Sequence, residues 1–248
     1  MDLIRPDWPA PGRVRAFSTT RAGGVSDGAY AGLNLGDHVG DVPEAVTANR
    51  ALLREHLGLT VEPSWLRQVH GREVVTAGAG GPGCEADAAM ADAPGAVCVV
   101  MTADCLPLLV CDRAGTRVAA VHAGWRGLVD GVIERAVDAL GVAPESLLVW
   151  LGPAIGPDAF EVGPEVRARF LAADPAAGLA FRPRPDGRWL ADLFLLARQR
   201  LGRLGVEQVY GGGDCTFSQP RRFFSYRRDG VTGRMASLIW LAPDDQRL

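Results

Sequence analysis

Residues 102–127 read T-A-D-C-L-P-L-L-V-C-D-R-A-G-T-R-V-A-A-V-H-A-G-W-R-G. Two apolar runs inside this stretch, Leu106 to Cys111 and Arg117 to Val121, have the length of buried strands. Asp104-Cys105 leads into the first run and His122 leaves the second. Thiolate and imidazole suit zinc or copper and do not suit magnesium or calcium. His70, in R-Q-V-H-G-R at the end of another short β-like run, is a third candidate. Two His and one Cys from three separate elements would form a catalytic-type zinc site, with a fourth position open to water or substrate. Spacing does not decide the matter. The gaps of 35 and 17 residues are not those of a zinc finger or ribbon. The plainer alternative is a buried Cys105 acting as a small hydrophobe and two hydrogen-bonded core histidines.

A chain of 248 residues holds one large domain or two small ones with a real core. Its 48% hydrophobic and 22% charged residues fit an ordinary globular protein. The net charge of −3 gives no electrostatic footprint for nucleic acid. All 26 basic residues are Arg, which excludes a Lys Schiff base, a Walker Lys and a Lys general base. Five Cys, an odd number, are scattered without a C-x-x-C pair. That argues against a disulfide scaffold and for a reducing compartment. No basic segment followed by an apolar run opens the chain, and no stretch approaches ~18 uninterrupted apolar residues. A cytoplasmic protein without signal peptide or membrane span is the expectation.

Outward from the central stretch, Val14 to Thr20 reads as a strand, and a long Gly-rich segment follows it to Asp41. Such a loop is either functional or a plain surface excursion. The next segment reads as a helix with Asp41 as N-cap, Pro43 in the first turn, Glu44 completing a capping box and a stop at Gly58. Arg50 falls on its apolar stripe of Val46, Leu53 and Leu57, so its guanidinium needs an anionic partner. That partner is a structural carboxylate or a substrate anion. Trp65 to Val69 and Glu73 to Ala77 read as strands, residues 78–84 as a Gly/Pro loop and Ala96 to Thr102 as a buried strand. Gly127 should open a helix from Leu128 to Leu140, placing free N–H groups beside His122 as an anion site. Further on come a strand at Leu147 to Leu151, helices at Pro164 to Ala173 and Asp192 to Leu204, and strands at Val206 to Tyr210, near Phe223 and at Met235 to Leu241. Strands and helices mix without strict alternation, which predicts a single α+β domain with mixed sheets.

Several motifs in this order resemble one family. They are L-N-L-G-D-H-V-G-D at 33–41, N-R at 49–50, Q-V-H-G at 68–71, E-A-D-A at 85–88, T-A-D-C-L-P-L-L at 102–109 and A-A-V-H-A-G-W-R-G at 119–127. G-P-A-I-G-P at 152–157, C-T at 215–216, F-F-S-Y-R-R-D at 223–229 and T-G-R-M-A-S at 232–237 continue the match. The chain resembles the YfiH-like family, also known as the multicopper polyphenol oxidoreductase or laccase-domain family. The resemblance implies an α/β sandwich with mixed sheets and a metal held by His70, Cys105 and His122. It also implies zinc-dependent phosphorolysis of adenosine, inosine, guanosine and methylthioadenosine, together with adenosine deamination. The laccase name implies copper-dependent oxidation of phenols, and some members are linked to peptidoglycan editing.

The residue inventory weighs these implications. A multicopper oxidase binds several coppers mostly through His, whereas this chain has four His and no H-x-H pair. His38 lies in the long loop and His56 on a helix, so they extend one site at most. Copper remains open as an alternative ion, because Cu²⁺ outcompetes zinc at N and S ligands. The H-x-E and P-C-x-x-C signature of zinc deaminases is absent. A proton carrier must then come from elsewhere, with Asp87 and Asp104 as candidates and a turn or capping carboxylate as the alternative for each. In the phosphorylase reading, Arg50, Arg126 and the helix N-terminus neutralise phosphate, while Asn34 and Ser225 orient the nucleoside. Arg227 and Arg228 read equally well as solvated surface charges, and Trp125 as a packing residue rather than a base-stacking platform. A second reading makes Cys105 the nucleophile of an amidase acting on a peptidoglycan precursor, with its thiol activated by the two His. A third is a metal-binding protein without turnover.

Overall fold

The computed structural model describes residues 1–79, 81 and 83–243. In chain order the strands are β1 (Leu3–Ile4), β2 (Val14–Thr19), β3 (Val74–Thr76), β4 (Ala88–Ala91), β5 (Val97–Thr102), β6 (Leu106–Asp112), β7 (Val118–Ala123), β8 (Leu147–Leu151), β9 (Glu161–Val162), β10 (Phe181–Pro183), β11 (Trp189–Ala191), β12 (Gln208–Gly211) and β13 (Met235–Leu241). The helices are α1 (Pro43–His56), α2 (Trp125–Asp130), α3 (Val132–Leu140), α4 (Pro164–Ala173), α5 (Leu193–Arg203) and α6 (Tyr226–Asp229). Among the described residues the strands form a six-stranded sheet of order β12-β8-β6-β7-β4-β3, a four-stranded sheet of order β1-β2-β13-β5, and a small β10-β11-β9 sheet. The six-stranded sheet is mixed: β12–β8 and β3–β4 are parallel, and β6 pairs antiparallel with both β7 and β8.

The layers follow from side-chain alternation along the strands. Leu106, Leu108 and Val110 of β6 point to one face of the six-stranded sheet, with Val121 of β7 and Val149 of β8. There they meet Val132, Ile133 and Ala136 of α3 and Ala197 and Leu201 of α5. Leu109, Ala120 and Leu148 point to the other face, against Val14, Val100 and Ile239 of the four-stranded sheet. The outer face of that second sheet, with Phe17, Val99 and Leu238, is covered by Leu53 of α1. Strands buried on both faces carry continuous apolar runs, which is why β6 has no polar alternation before Asp112. The sheets are mixed, as the pattern of elements predicts, and they stack as the sandwich that the family resemblance implies.

Four local expectations are corrected. Trp65 to Val69 is not a strand; Gln68 instead bonds both backbone groups of Met101, through Nε2 to the carbonyl (2.8 Å) and Oε1 from the N–H (2.7 Å). A side chain takes the place of a ladder there. The helix expected from Leu128 starts earlier, at Trp125, and breaks at Gly131, whose φ of 96° lies outside the helical range and is readily adopted only by glycine. Leu128, Val132, Ala136 and Leu140 are nevertheless all buried, as their spacing demands. No strand forms at Phe223; Phe223 and Phe224 are buried with Ala103 and Met235, and Ser225 caps α6. The N-cap of α1 is Val42, because the Asp41 carboxylate turns back to Ser26 (2.6 Å) and Asn34 (2.8 Å). Of the Gly/Pro loop expected at 78–84, Gly80 and Pro82 lie outside the described residues.

Candidate metal centre

Strand pairing brings the candidate ligands together. In the antiparallel β6–β7 pair, Leu106 faces Ala123 and Pro107 faces His122, so Cys105 arrives opposite Gly124. The chain reaches Cys105 by crossing from β5 in one sheet to β6 in the other through Ala103-Asp104-Cys105, with Asp104 at φ 94°. In the β4–β7 pair, Ala88 faces Val121, which sets Asp87 beside His122. His70 comes from the turn before β3, at φ 60°. An L-residue at positive φ is strained, and two such residues here, neither of them glycine, mark a held geometry.

The ligand atoms of His70, Cys105 and His122 lie within 4.8 Å of one another. Cys105 Sγ is 3.7 Å from His70 Nε2, and the two imidazoles meet edge to face with centroids 4.8 Å apart. Exposure is graded: His122 is buried, Cys105 half-buried and His70 exposed. A Cβ on Gly124 would lie 2.7 Å from His70 Cδ2 and 3.1 Å from Cys105 Sγ, so glycine leaves the space these ligands occupy.

Asp87 organises the centre from behind. Its buried carboxylate accepts N–H groups of Val69 (3.2 Å), His70 (2.9 Å) and Gly71 (2.6 Å), and its Oδ1 lies 2.7 Å from His122 Nδ1. Burial works against the charge, but the hydrogen bond and charge of His122 and the backbone N–H groups hold the carboxyl below its usual range. With Nδ1 engaged, His122 presents Nε2 to the cluster, the arrangement common to metal-binding histidines. Burial also opposes charging Cys105 and His122. Their mutual attraction, with a hydrogen bond from His70 to the thiolate and one from His122 to Asp87, overcomes it, lowering the thiol and raising the imidazole. A thiolate, two imidazoles, a carboxylate-oriented ring and a space cleared by glycine together fit a zinc or copper ion.

The cluster opens into a cavity of about 570 Å³ lined also by His38, Gln68, Met101, Thr102, Trp125, Arg126, Tyr226, Arg227 and Arg234. Of the other residues singled out in the sequence, Arg126 lines this space, exposed and 4.5 Å from the Trp125 ring. Neither Asp87 nor Asp104 is part of the lining. Asp104 accepts from Thr216 Oγ1 (2.7 Å) and from the Arg227 N–H (2.6 Å), tying the β5–β6 crossover to the C-terminal segment. Asn34 bonds Gly36, Asp41 and the Arg234 N–H, and Ser225 caps Arg228, so both hydrogen-bond within the protein. Arg50 donates to the Leu35 carbonyl (2.9 and 3.0 Å), lies 3.3 Å from Asp37 and stacks 4.1 Å over Trp65. Its partner is therefore internal, and it does not line the cavity. Arg228 is no solvated charge either: it clamps the carbonyls of Thr216, Phe217 and Phe223.

Sequence reasoning missed Tyr226, Arg234 and Gln68 as site residues. All three stand inside recognised motifs, F-F-S-Y-R-R-D, T-G-R-M-A-S and Q-V-H-G, which were the available signal. All five Cys are free, and no helix among the described residues is long and apolar enough to cross a membrane.

The family model described as multi-copper polyphenol oxidoreductase laccase matches residues 15–242. A Pseudomonas aeruginosa protein named purine nucleoside phosphorylase is 59% identical over 239 residues, 96% of this chain and 98% of that protein. The Escherichia coli purine nucleoside phosphorylase YfiH is 55% identical over 240 residues, again 96% and 98%. Among solved structures, a Neisseria meningitidis protein of the DUF152 family superposes with a TM-score of 0.94 at 52% identity, covering 98% of this chain and 100% of that one. YlmD from Geobacillus stearothermophilus gives 0.87 at 30% identity, covering 98% of each. With this fold, these motifs and these relatives, the chain belongs to the YfiH-like family of multi-copper polyphenol oxidoreductase laccases.

Proposed function

We propose that this chain is a metal-dependent purine nucleoside phosphorylase with zinc on His70, Cys105 and His122. The observation that carries the reading is the carboxylate-backed His–Cys–His cluster opening into an arginine-lined cavity. Its volume falls in the range of small-molecule sites, about 300–1,000 Å³. Relatives named purine nucleoside phosphorylase at 55–59% identity support the substrate class.

When bound, the ion supplies Lewis acidity, polarising an oxygen of phosphate, water or substrate. Asp87 holds His122 in one tautomer and fixes the His70 turn, so the two rings converge without reorganisation. Arg126 offers a guanidinium to phosphate. In phosphorolysis a phosphate oxygen forms the bond to C1′ of the ribose as the glycosidic C–N bond breaks, and its electron pair leaves with the purine. The departing base takes a proton from the cavity, where His38 and Tyr226 carry exchangeable ones. Deamination of adenosine uses the same cavity with water attacking C6 and ammonia leaving.

Adenosine incubated with and without phosphate tests this. Phosphate-dependent adenine release establishes phosphorolysis, and inosine formed without phosphate establishes deamination. Neither product from zinc-loaded protein refutes both. The lowered thiol of Cys105, 3.7 Å from His70, favours one competitor, a metal-independent Cys105 amidase. Chelation separates them, since a thiol amidase survives it. A multicopper relay finds little support in four His, of which His56 does not line the cavity.

A further inference from the structure

The arginines of the cavity are not equivalent. Arg126 is exposed and lies against Trp125, and Arg227 donates to the Glu161 carbonyl (2.6 Å) beneath the Phe160 ring. Arg234 is half-buried and held from several sides. Its N–H donates to Asn34 Oδ1 (2.9 Å), and its Nη1 donates to the carbonyls of Thr232 and Gly233, both at 3.0 Å. Its stem passes over Gly36, where a Cβ would lie 2.7 Å from Arg234 Cγ. Among the described residues no carboxylate lies within ion-pair distance of it, and its Nε and Nη2 make no hydrogen bond. Arg50, also half-buried, has Asp37 and the Leu35 carbonyl. Asp104 gives both oxygens to Thr216 and Arg227.

A guanidinium withdrawn from water and left without an anion is costly, and fixing its rotamer adds entropy loss. The protein meets both costs at a position facing the cavity. Burial is also the leading influence on the Arg234 pKa and lowers it, with Cys105 and Asp104 only partly opposing. Nη1 is occupied, which leaves Nε and Nη2 as the edge that can grip an oxyanion with two parallel hydrogen bonds.

We infer that Arg234 is the oxyanion-receiving residue of the cavity, and that the anion it takes during turnover is inorganic phosphate. Naming phosphate rests on the phosphorylase reading; the oxyanion site does not. Asn34 serves it as a positioning residue, fixing the Arg234 backbone from the long Gly-rich loop.

The test is calorimetric titration of the zinc-loaded protein with inorganic phosphate, alongside separate KM values for phosphate and adenosine, in wild type, Arg234→Gln and Arg234→Lys. Loss of charge-assisted hydrogen bonds predicts a roughly 10- to 100-fold rise in phosphate Kd and KM for Arg234→Gln, with adenosine KM unchanged. Arg234→Lys keeps charge without the fork and should fall between. Zinc content and melting temperature verify folding; if the Gln variant misfolds, the Lys variant decides. Wild-type protein that binds no phosphate overturns the inference. So does either folded variant that binds it as wild type does, or that shifts adenosine KM alone. Phosphorolysis untouched by Arg234→Gln would sink the inference and spare the phosphorylase reading. Arg234-dependent phosphate binding without phosphorolysis would sink the phosphorylase reading, and with it phosphate as the anion of turnover, and spare the oxyanion site.

Discussion

Replacing Asp87 by Asn should destabilise the fold, because its buried carboxylate accepts on both oxygens. Oδ1 serves His70 N–H and His122 Nδ1, and Oδ2 serves Val69 N–H and Gly71 N–H. An amide replaces one of these oxygens with a second donor, whichever way it is turned. With the amide nitrogen in the Oδ2 place, the Val69 and Gly71 N–H groups face a donor. In the Oδ1 place the His70 N–H does, while His122 can switch tautomer so that Nδ1 accepts, all in a site with no solvent access at the side chain. Each orphaned donor costs about 1–3 kcal/mol, so with one or two orphaned the folded state should lose roughly 1–6 kcal/mol. Urea denaturation of metal-stripped wild type and Asp87→Asn at neutral pH measures this. The pH dependence supplies a second readout. The folded pKa of Asp87 lies below the ordinary 3.8, so its contribution is complete above that value and is lost as pH falls through the lower folded one. The variant should lack this component of acid sensitivity. Metal affinity should also drop, by about 10- to 100-fold, as for other carboxylates that orient ligating histidines. A loss below about 1 kcal/mol with unchanged metal affinity would refute the role given to Asp87.

Gly124→Ala isolates steric room at the ligands, because φ −64° and ψ 156° suit alanine without backbone strain. Its Cβ, 2.7 Å from His70 Cδ2, must displace the ring toward an ordinary contact of about 3.5–4.0 Å. Competition with a chelating dye should show weakened zinc binding, and wild-type affinity would contradict the packing account. Arg50→Met removes the bonds to Leu35 and the contact with Asp37, and should destabilise by about 1–3 kcal/mol in thermal or urea unfolding. Its phosphate KM should stay at the wild-type value; a rise would place Arg50 in substrate binding after all.

The candidate cluster of His70, Cys105 and His122 was legible from residue type and from the family motifs around it, since spacing alone did not decide it. Cys105 precedes one apolar run and His122 lies at the end of another, which the sequence shows; the register that joins them comes from the antiparallel pairing of β6 and β7. His70 was harder: its positive φ and the Gln68 clamp on Met101 are tertiary devices with no periodic signature. Asp87 was legible as a candidate but not in its geometry, since nothing local says that E-A-D-A sits beside His122 in an antiparallel pair. Asp104, Asn34 and Ser225 carry hydrogen-bonding side chains in conspicuous motifs, and such residues serve crossovers and caps as readily as substrates. Their partners Thr216, Arg234 and Arg228 decide this, and the first two lie 112 and 200 residues away. The strand expected at Phe223 reflects β-propensity overridden by burial of the two Phe rings beside Met235. Helical periodicity found the buried face of α2 and α3 but not the break at Gly131, because one glycine leaves the stripe in phase.

The central claim is that His70, Cys105 and His122 together hold the ion on which phosphorolysis depends. Elemental analysis of the purified protein, made on the same samples as a phosphate-dependent adenine-release assay, tests it most directly in wild type, His70→Ala and Cys105→Ala. The account predicts one zinc per wild-type chain, and loss of both metal and phosphate-dependent adenine release in each variant. A metal-free Cys105→Ala protein that still releases adenine at the wild-type rate would contradict it, as would a wild-type chain that takes up no zinc when zinc is supplied.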